Sequence, residues 1–485
     1  MNSEKSINNT GKTIRDRIPA ITKISYGLGM GLDMWGLWLY PAVAFAVFNI
    51  YLGIEPWLVG LALTIIRLYD AVADPIAGWI SDNFRSKHGR RRPFILVAGI
   101  CSGLGLPALF LVAPSWSDIN FLGVSVVFWY MIGSSLIYIP LISLFTVPYN
   151  SLGPELSPDY DERTSIMTYR SVMQKIFEIG NFYALRFTNL AWFLIPGTND
   201  KNTLFGIQVY TAGMGILMAV FAIIIFFRVK ERYYDKVVTK IKNKISLKDS
   251  FYETIKVRPF RMMMGMGASF NLGTSMVGSL GYYATVYYVA GGDTRIGDGW
   301  NFWMGLSFMF GGLIGAPILN LVAGAVAKRK AAIVACIIGI FAYASSWYLY
   351  TPLIPWLQTI ASGLMGLAAS GLWMLHSSIG ADIIDYDELN MGVRREGSFT
   401  ACMSYILKLG NSLGYFICGL ILSWIGFDRD IQVQSPETIT GIRLFLVLIP
   451  IFGLSLAMFF VSRMELTKQM CIDIRKKLEK RRGTV

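Results

Sequence analysis

Long apolar stretches that contain no charged residue constrain this chain more than any other feature. The segments 94–114, 213–227 and 331–350 contain no Asp, Glu, Lys or Arg. A helix needs roughly 20 apolar residues to cross the bilayer core, and lipid cannot satisfy the polar groups of an irregular backbone. Across the chain, 54% of the residues are hydrophobic and 15% are charged, whereas a soluble protein carries about 25% charge. We therefore predict an all-α membrane protein.

Twelve transmembrane helices are predicted from the spacing of these stretches. Pro41 and Pro148 are candidate kinks inside the first and fourth helices. The predicted helices are 22–52, 57–82, 94–113, 120–153, 166–197, 205–228, 259–290, 299–325, 331–351, 355–386, 397–426 and 438–463.

Basic residues are concentrated in alternate predicted loops. Five lie between the second and third helices, nine in the 229–258 segment and three at 328–330, whereas the opposite loops carry only the single basic residues Lys201, Arg295 and Arg429. The positive-inside rule then predicts a multi-pass protein of the inner (plasma) membrane with both termini cytoplasmic. This topology explains the net charge of +13 without a nucleic-acid partner.

The 229–258 segment divides the chain into parts of nearly equal length. The string Asp-Tyr-Asp-Glu occurs after the fourth predicted helix, at 159–162, and again at the end of the tenth, at 385–388. Such an offset of about half the chain is what a parallel two-fold repeat requires. The predicted domains are an N-terminal six-helix bundle with a cytoplasmic tail (1–228), a cytoplasmic middle loop (229–258), a C-terminal six-helix bundle (259–463) and a basic cytoplasmic tail (464–485).

Enzyme chemistry has little support in the sequence. The two histidines, His88 and His376, have no Cys or carboxylate at metal-ligand spacing, and there is no P-loop string. The five cysteines show no metal-ligand spacing either. We therefore expect neither an enzyme nor a cofactor.

Several motifs resemble one group of membrane transporters. The segments 78–82 and 89–92 resemble the loop between helices 2 and 3 that marks the major facilitator superfamily. The segments 67–75, 147–149 and 381–386 resemble parts of the glycoside–pentoside–hexuronide:cation symporters, the family of the melibiose permease. The resemblance implies the major facilitator fold, in which two six-helix bundles are related by pseudo-two-fold symmetry. It also implies symport of a sugar or glycoside with Na⁺ or H⁺ by alternating access; we expect a monomer in the lipid bilayer.

Asp70 and Asp74 are the strongest candidates for a cation site. A spacing of four residues puts both carboxylates on one face of the second helix, where each charge costs roughly 2.5–3.5 kcal/mol at the membrane centre. Their repulsion favours capture of Na⁺ or of a shared proton; the alternative is an ion pair with Arg67 or with a neighbouring helix. The resemblance implies that these positions bind the coupling ion. Ser143 and Thr146 on the fourth helix would add oxygen ligands. The melibiose-permease branch has an acid at the position of Thr146, and because this chain lacks that charge, H⁺ coupling stays an alternative to Na⁺ coupling.

Asp33 and Arg170 are candidate substrate-binding residues, because the resemblance matches them to the family's sugar-binding acid and base. A carboxylate can accept hydrogen bonds from sugar hydroxyls and a guanidinium can donate to them; alternatively, the two side chains pair with each other as a gate. Trp373 matches an aromatic residue that lines the family's cavity, although tryptophan in a membrane helix is more often interfacial. Tyr149 is a weaker aromatic candidate.

Lys408 lies in the apolar run 405–409 of the eleventh helix and needs a partner there. The resemblance implies a lysine near the acids of helix 2, so we expect Lys408 to pair with Asp70 or Asp74 when the cation is absent. The alternative is that its ammonium extends to the membrane surface. On the fifth helix Lys175 and Glu178 are three residues apart and are expected to satisfy each other.

Charged residues at the predicted cytoplasmic ends of helices form a candidate gating set. The resemblance implies that charge pairs among them close the cavity on the cytoplasmic side and break when it opens inward; the alternative is ordinary solvated loop charge. The members are Asp82, Arg91, Asp382, Asp385, Glu388, Arg394 and Glu396.

A second substrate class stays open. Lysophospholipid transporters share the fold and the acid pair of helix 2, and the methionines at 262–264 and 266 would suit an acyl chain, although methionines also fill ordinary cores. A third hypothesis is a non-transporting sensor or scaffold. The intramembrane charges of Asp70, Asp74 and Lys408 argue against it.

Overall fold

The computed structural model describes residues 17–157, 160–195, 201–231, 254–392 and 396–482. Within these ranges, twelve long helices and one shorter helix account for most of the chain. In order, they are α1 (Ala20–Tyr51), α2 (Pro56–Asn83), α3 (Arg92–Phe110), α4 (Val126–Glu155), α5 (Tyr160–Phe187), α6 (Thr203–Arg228), α7 (Arg258–Tyr283), α8 (Thr294–Val326), α9 (Lys328–Leu349), α10 (Leu357–Met391), α11 (Glu396–Trp424), α12 (Pro436–Ser462) and α13 (Lys468–Arg482).

Nine of the helices in the described ranges are long and apolar enough to cross a membrane. The other three long helices, α5, α7 and α10, have similar lengths but more polar sequences. Polar side chains in a spanning helix face the bundle interior or a water-filled cavity. The composition of these three helices is therefore what helices beside an internal site require.

The first long helix of each half ends in a π-helical turn. In α1 such turns cover Met34–Trp38 and Phe45–Tyr51, and α7 continues as the π-helical segment Ala284–Val289. Pro41 lies between the two π-helical segments of α1, and its ring removes one backbone donor from the helix. The irregularity expected at this proline thus takes the form of a change in helix type.

A β-hairpin delays the start of the fourth helix, so the predicted start at residue 120 is wrong. Strand β1 (Asn120–Phe121) pairs antiparallel with β2 (Val124–Ser125). The turn between them has φ +53° at Leu122 and φ +79° at Gly123. Left-handed residues of this kind stop a helix, and α4 begins only after them, at Val126.

The end of the fifth predicted helix is also wrong, and the tail contains a helix that was not predicted. α5 ends at Phe187 instead of residue 197, and a 3₁₀ turn, Ala191–Phe193, follows it. In the basic tail, Ile474 and Leu478 of α13 are buried, and their spacing of four residues puts them on one face. With this face, α13 packs on α10.

The two halves of the chain use the same packing pattern. In the first half α1 packs on α5, α2 on α4 and α3 on α6, and in the second half α7 packs on α11, α8 on α10 and α9 on α12. Each pair of the second half therefore corresponds to a pair six helices earlier. This correspondence is what two related six-helix bundles produce.

The halves meet at the end of the helices opposite to the chain termini. There α2 packs along α11, and the end of α5 packs against the start of α8. A Cβ atom on Gly60 would lie 2.5 Å from the carbonyl oxygen of Tyr415, and Gly419 faces the carbonyl oxygen of Pro56 in the same way. Glycine at these two crossings lets the backbones of α2 and α11 touch.

Candidate functional site

Three charged side chains of α2 lie on one face of the helix near its midpoint. Arg67, Asp70 and Asp74 are separated by three and four residues, the spacing of neighbours on a helix surface. The Asp70 side chain is 2% exposed and the Asp74 side chain is 31% exposed. Asp70 is therefore enclosed by protein, whereas Asp74 can be reached from outside the core.

Lys408 of α11 lies between the two carboxylates. Its Nζ is 2.8 Å from Asp70 Oδ2 and 2.6 Å from Asp74 Oδ2, and it donates to the backbone carbonyl oxygen of Asp70 at 3.2 Å. Because α2 and α11 belong to different halves, this ion pair joins the halves near the middle of the bundle.

Arg67 supplies a second positive charge to the cluster. Its guanidinium is 3.4 Å from Asp70 Oδ2, donates to the Leu37 carbonyl oxygen at 2.9 Å and lies 4.8 Å from the centroid of the Trp38 ring. The cluster of two acids and two bases is formally neutral. Buried charges are tolerated when they are fully paired in this way.

Helix α4 places hydroxyl groups beside the cluster. Ser143 and Thr146 are both buried on a helix that packs on α2. The Ser143 hydroxyl lies beside the Asp74 carboxyl, but it makes no hydrogen bond of normal geometry to any described residue. A buried polar group without a partner costs about 1–3 kcal/mol. This oxygen is thus available to a ligand, and hard cations prefer carboxylate and hydroxyl oxygens.

Asp33 on α1 and Arg170 on α5 are both described, and they do not form an ion pair with each other. Arg170 donates to Asn150 Oδ1 at 2.6 Å and contacts the Met30 sulfur at 3.0 Å. Asp33 is half-buried, and no ion pair within the described residues joins it to Arg170. The gate that these two residues could form with each other is therefore not closed in this conformation.

The two aromatic candidates lie in different environments. Tyr149 is fully buried, stacks on Tyr26 with 4.7 Å between ring centroids and donates to the Tyr26 carbonyl oxygen at 2.8 Å. It therefore belongs to the core behind Arg170. Trp373 is 37% exposed and meets Phe270 edge-on at 5.7 Å, which leaves part of its ring accessible.

The candidate gating residues are only partly described. Asp382 pairs with Lys328 of the same half at 2.7 Å. Arg91 is buried, and its backbone N–H donates to Glu231 at 2.7 Å. Asp385 and Glu388 lie on α10 as well, and like Asp382 they are half-buried. The members that lie outside the described part of the chain are Arg394 and the side chains of Asp82 and Glu396.

A second buried ion pair joins the halves at the end opposite to the termini, and it was not predicted. Lys201, just before α6, pairs with Asp298 at the start of α8, and their side chains are 7% and 0% exposed. Tyr282 donates to Asp298 Oδ1 at 2.7 Å, and Lys201 donates to Asn189 Oδ1 at 2.8 Å. The sequence offered only a weak signal, an acid one residue before the predicted eighth helix.

Further contacts hold the same end together. The Tyr283 hydroxyl donates to Asn49 Oδ1 at 2.5 Å, between the ends of α7 and α1. Gly53 has φ +77°, and the Arg429 guanidinium occupies the space that a side chain there would take. Contacts between the halves thus extend from this end of the bundle to Lys408.

Comparison with known families gives one match over nearly the whole chain. The sequence model of the family described as MFS/sugar transport protein matches residues 25–468. This range includes both acids of α2, Lys408 and the twelve long helices except for residues 20–24 of α1.

Curated relatives are aligned over most of their length. The glucuronide carrier protein homolog of Escherichia coli (strain K12) is 26% identical over 471 residues, which cover 94% of this chain and 96% of the relative. The isoprimeverose transporter of Lactiplantibacillus pentosus is 26% identical over 437 residues, which cover 88% of this chain and 85% of the relative. The putative glycoside/cation symporter YagG of Escherichia coli (strain K12) is 22% identical over 469 residues, with 95% of each chain covered.

Solved structures share the fold at low sequence identity. The nucleoside transporter NupG superposes with a TM-score of 0.62 at 13% identity, covering 92% of this chain and 99% of its own. A D-xylose-proton symporter superposes with a TM-score of 0.57 at 14% identity, covering 89% and 96%. The chain is therefore a multi-pass membrane transporter with the major facilitator fold, and not an enzyme. It belongs to the glycoside–pentoside–hexuronide:cation symporter family of the major facilitator superfamily.

Proposed function

We propose that this sugar symporter imports a glycoside or hexuronide together with Na⁺ or H⁺, and that Asp70 and Asp74 hold the coupling ion. The observation that carries the proposal is the position of the Lys408 ammonium, 2.8 and 2.6 Å from the two carboxylates. An ammonium is itself a monovalent cation, so its position marks the space between the acids as suitable for one. Ser143 and Thr146 would complete the set of oxygen ligands.

We place both termini on the cytoplasmic side, because the loops on that side hold most of the basic residues. The end joined by Lys201 and Asp298 then faces the outside of the cell, and the conformation is inward-facing. In this orientation the Lys201–Asp298 pair serves as the outer gate of an alternating-access cycle.

In the proposed cycle the coupling ion competes with the Lys408 ammonium for the same two carboxylates. An ion that binds there displaces Lys408 and so breaks the ion pairs that join α2 to α11 near the middle of the bundle. A ligand can shift a conformational equilibrium only by as much as its affinity differs between the two states. In this conformation Lys408 lies between the acids and competes with the ion. The affinity for the ion should therefore be lower here than in a conformation in which Lys408 has moved away.

We assign substrate recognition to Asp33, Arg170 and Trp373. A carboxylate and a forked guanidinium suit neighbouring sugar hydroxyls, and Arg170 could also bind a uronate carboxylate in a bidentate manner. Asp33 and Arg170 are not ion-paired with each other within the described structure, so both keep bonding capacity for a ligand. Relatives named for glucuronide and isoprimeverose support this class of substrate.

Uptake by the purified protein in proteoliposomes tests the ion site. Asp74→Asn keeps the shape of the side chain and removes its charge, so we expect it to abolish accumulation of substrate against its gradient. Substrate exchange at equal concentrations should persist, because the sugar-binding residues are unchanged. Asp118→Asn, which neutralises an exposed acid between α3 and α4, is the matched control. Normal accumulation by the Asp74→Asn protein would contradict the assignment.

The same preparation separates the candidate ions and substrates. A Na⁺ gradient at constant pH and a pH gradient without Na⁺ are imposed separately, and the one that drives uptake identifies the ion. Glycosides, hexuronides and lysophospholipids are then compared by the thermal shift that each produces. A shift given by lysophospholipids alone would move the assignment to an amphiphile transporter of the same fold.

A further inference from the structure

A cavity of about 940 Å³ lies at the end of the second half that is near the C-terminal tail. Its walls come from α8, α9, α10 and α13, and the turn between α8 and α9 forms part of it. Asp70, Asp74 and Lys408 are not among its lining residues. The cavity is therefore distinct from the proposed transport site.

The cavity has an apolar wall that continues onto the outer surface of the bundle. Leu321 and Val326 of α8 and Ile472 of α13 line the cavity, and all three side chains are exposed on the protein. Ile333 of α9 lines it as well. In a chain that spans a membrane, apolar side chains exposed at this position meet lipid acyl chains.

The rim of the cavity is strongly basic. Four lining residues are basic, and the acid among the lining residues is Asp382, which pairs with Lys328 at 2.7 Å. Arg329 and Lys468 donate to backbone carbonyl oxygens at 2.8 and 3.1 Å, and Lys330 is exposed. These side chains leave the cavity with three positive charges in excess, so its rim is complementary to an anion.

The turn that presents the basic residues is strained. Ala327, between α8 and α9, has φ +80°, a conformation that costs a non-glycine residue on the order of 1–3 kcal/mol and is concentrated at functional sites. The turn starts α9 at Lys328 without a side-chain cap. Backbone N–H groups of this uncapped first turn add to the attraction for an anion.

We propose that this cavity binds an anionic glycerophospholipid from the leaflet on the side of the chain termini. The phosphate would lie at Arg329, Lys330 and the first turn of α9, and an acyl chain would lie along Leu321 and Val326. Basic pockets between helices on the cytoplasmic side suit such headgroups. A bound lipid would join α13 to α8 and α9.

Native mass spectrometry of the delipidated full-length protein tests the chemistry of the ligand. The three probes are dioleoylphosphatidylglycerol, dioleoylphosphatidylcholine and inorganic phosphate. We expect phosphatidylglycerol to bind at least tenfold more tightly than phosphatidylcholine, and we expect no saturable binding of phosphate. Equal affinity for the two lipids would overturn the proposal, and so would phosphate binding as tight as that of phosphatidylglycerol.

Charge removal tests the location of the headgroup. The double substitution Arg329→Gln with Lys330→Gln should weaken phosphatidylglycerol binding roughly 30-fold, because each basic residue near an anionic lipid contributes about fivefold. Lys476→Gln with Lys477→Gln removes the same charge from exposed positions of α13 outside the cavity and should change affinity little. Equal losses in the two double-substituted proteins would overturn the assignment.

A cavity-filling substitution tests the acyl site without any change in charge. Gly324 lines the cavity, and a Cβ atom added there would meet nothing within 4 Å, so the side chain of Gly324→Leu starts in open space and should occupy the acyl space. We expect this protein to melt like the unsubstituted one in detergent and to lose at least tenfold in phosphatidylglycerol affinity. Unchanged affinity in the Gly324→Leu protein would show that the lipid does not lie here.

Discussion

Replacement of Asp298 by Asn should open the end of the bundle that is closed in this structure, because the two halves separate there. The substitution leaves the Lys201 ammonium buried without an acid, because the side chains of the pair are only 7% and 0% exposed. Loss of one partner from a buried ion pair costs about 3–5 kcal/mol, which is a factor of about 10²–10⁴ in an equilibrium constant. The cost falls on the closed conformation alone, because separation of the halves exposes Lys201 to water.

Distances between spin labels, measured by double electron–electron resonance in a cysteine-free background, report the equilibrium. One label pair is placed at Ile195 and Val433, which are exposed on different halves at the closed end. A second pair is placed at Lys87 and Met391, which are exposed at the opposite end. With Asp298→Asn we expect the first distance to lengthen and the second to shorten in nearly the whole population.

Two matched controls separate loss of the ion pair from loss of charge. Lys201→Met with Asp298→Leu should restore the closed distances, because apolar replacement of a buried pair is often neutral or stabilising. Asp430→Asn breaks an exposed pair with Arg429 at the same end and should change neither distance, because such pairs contribute about 0–1 kcal/mol. Unchanged distances with Asp298→Asn, or equal opening in the double-substituted protein, would refute this account.

Two further predictions concern helix contact and thiol chemistry. Gly60→Val should separate the halves and abolish transport, because its Cβ would lie 2.5 Å from the Tyr415 carbonyl oxygen. The same label pairs measure the separation. The control is Gly133→Val, whose Cβ meets nothing within 4 Å. Burial, reinforced by the nearby Asp382 carboxylate, raises the pKa of the Cys471 thiol to about 11. Alkylation of Cys471 by iodoacetamide should therefore accelerate about tenfold per pH unit from pH 7 to 10, and Asp382→Asn should speed it at each pH; a plateau above pH 9 would contradict the shifted pKa.

The helices could be predicted because the bilayer leaves the backbone few choices. A stretch such as 331–350 has no charge to place at a surface, so it must form a helix whatever its neighbours are. Boundaries were harder, since they depend on local turn geometry. At Leu122 and Gly123 the left-handed backbone replaced the first turns of the expected fourth helix by a hairpin.

The charged cluster could be predicted in part because its spacing is visible along one helix. Asp70 and Asp74 were assigned to one face of α2, and the structure places Lys408 between them. The expected local pair of Lys175 and Glu178 is also present, at 2.7 Å. The roles of these residues in ion binding stay predictions until transport is measured.

Contacts between distant segments could not be predicted from local patterns. Lys201 and Asp298 are 97 residues apart, and their pairing depends on how the two halves meet. The burial of Tyr149 depends in the same way on Tyr26, 123 residues away. For α13, the apolar face of Ile474 and Leu478 is short and lies in a highly charged segment, so the basic composition concealed the helix.

The neutrality of the cluster around Lys408 has a consequence for how membrane potential should act on each half of the proposed transport cycle. Arg67 and Lys408 balance Asp70 and Asp74, so this group moves no net charge when the protein reorients by itself. One captured cation adds one positive charge, and moving that charge through 100 mV corresponds to about 2.3 kcal/mol. A negative cell interior should therefore accelerate the inward movement of the loaded protein. The rate at which the empty protein returns should not depend on voltage.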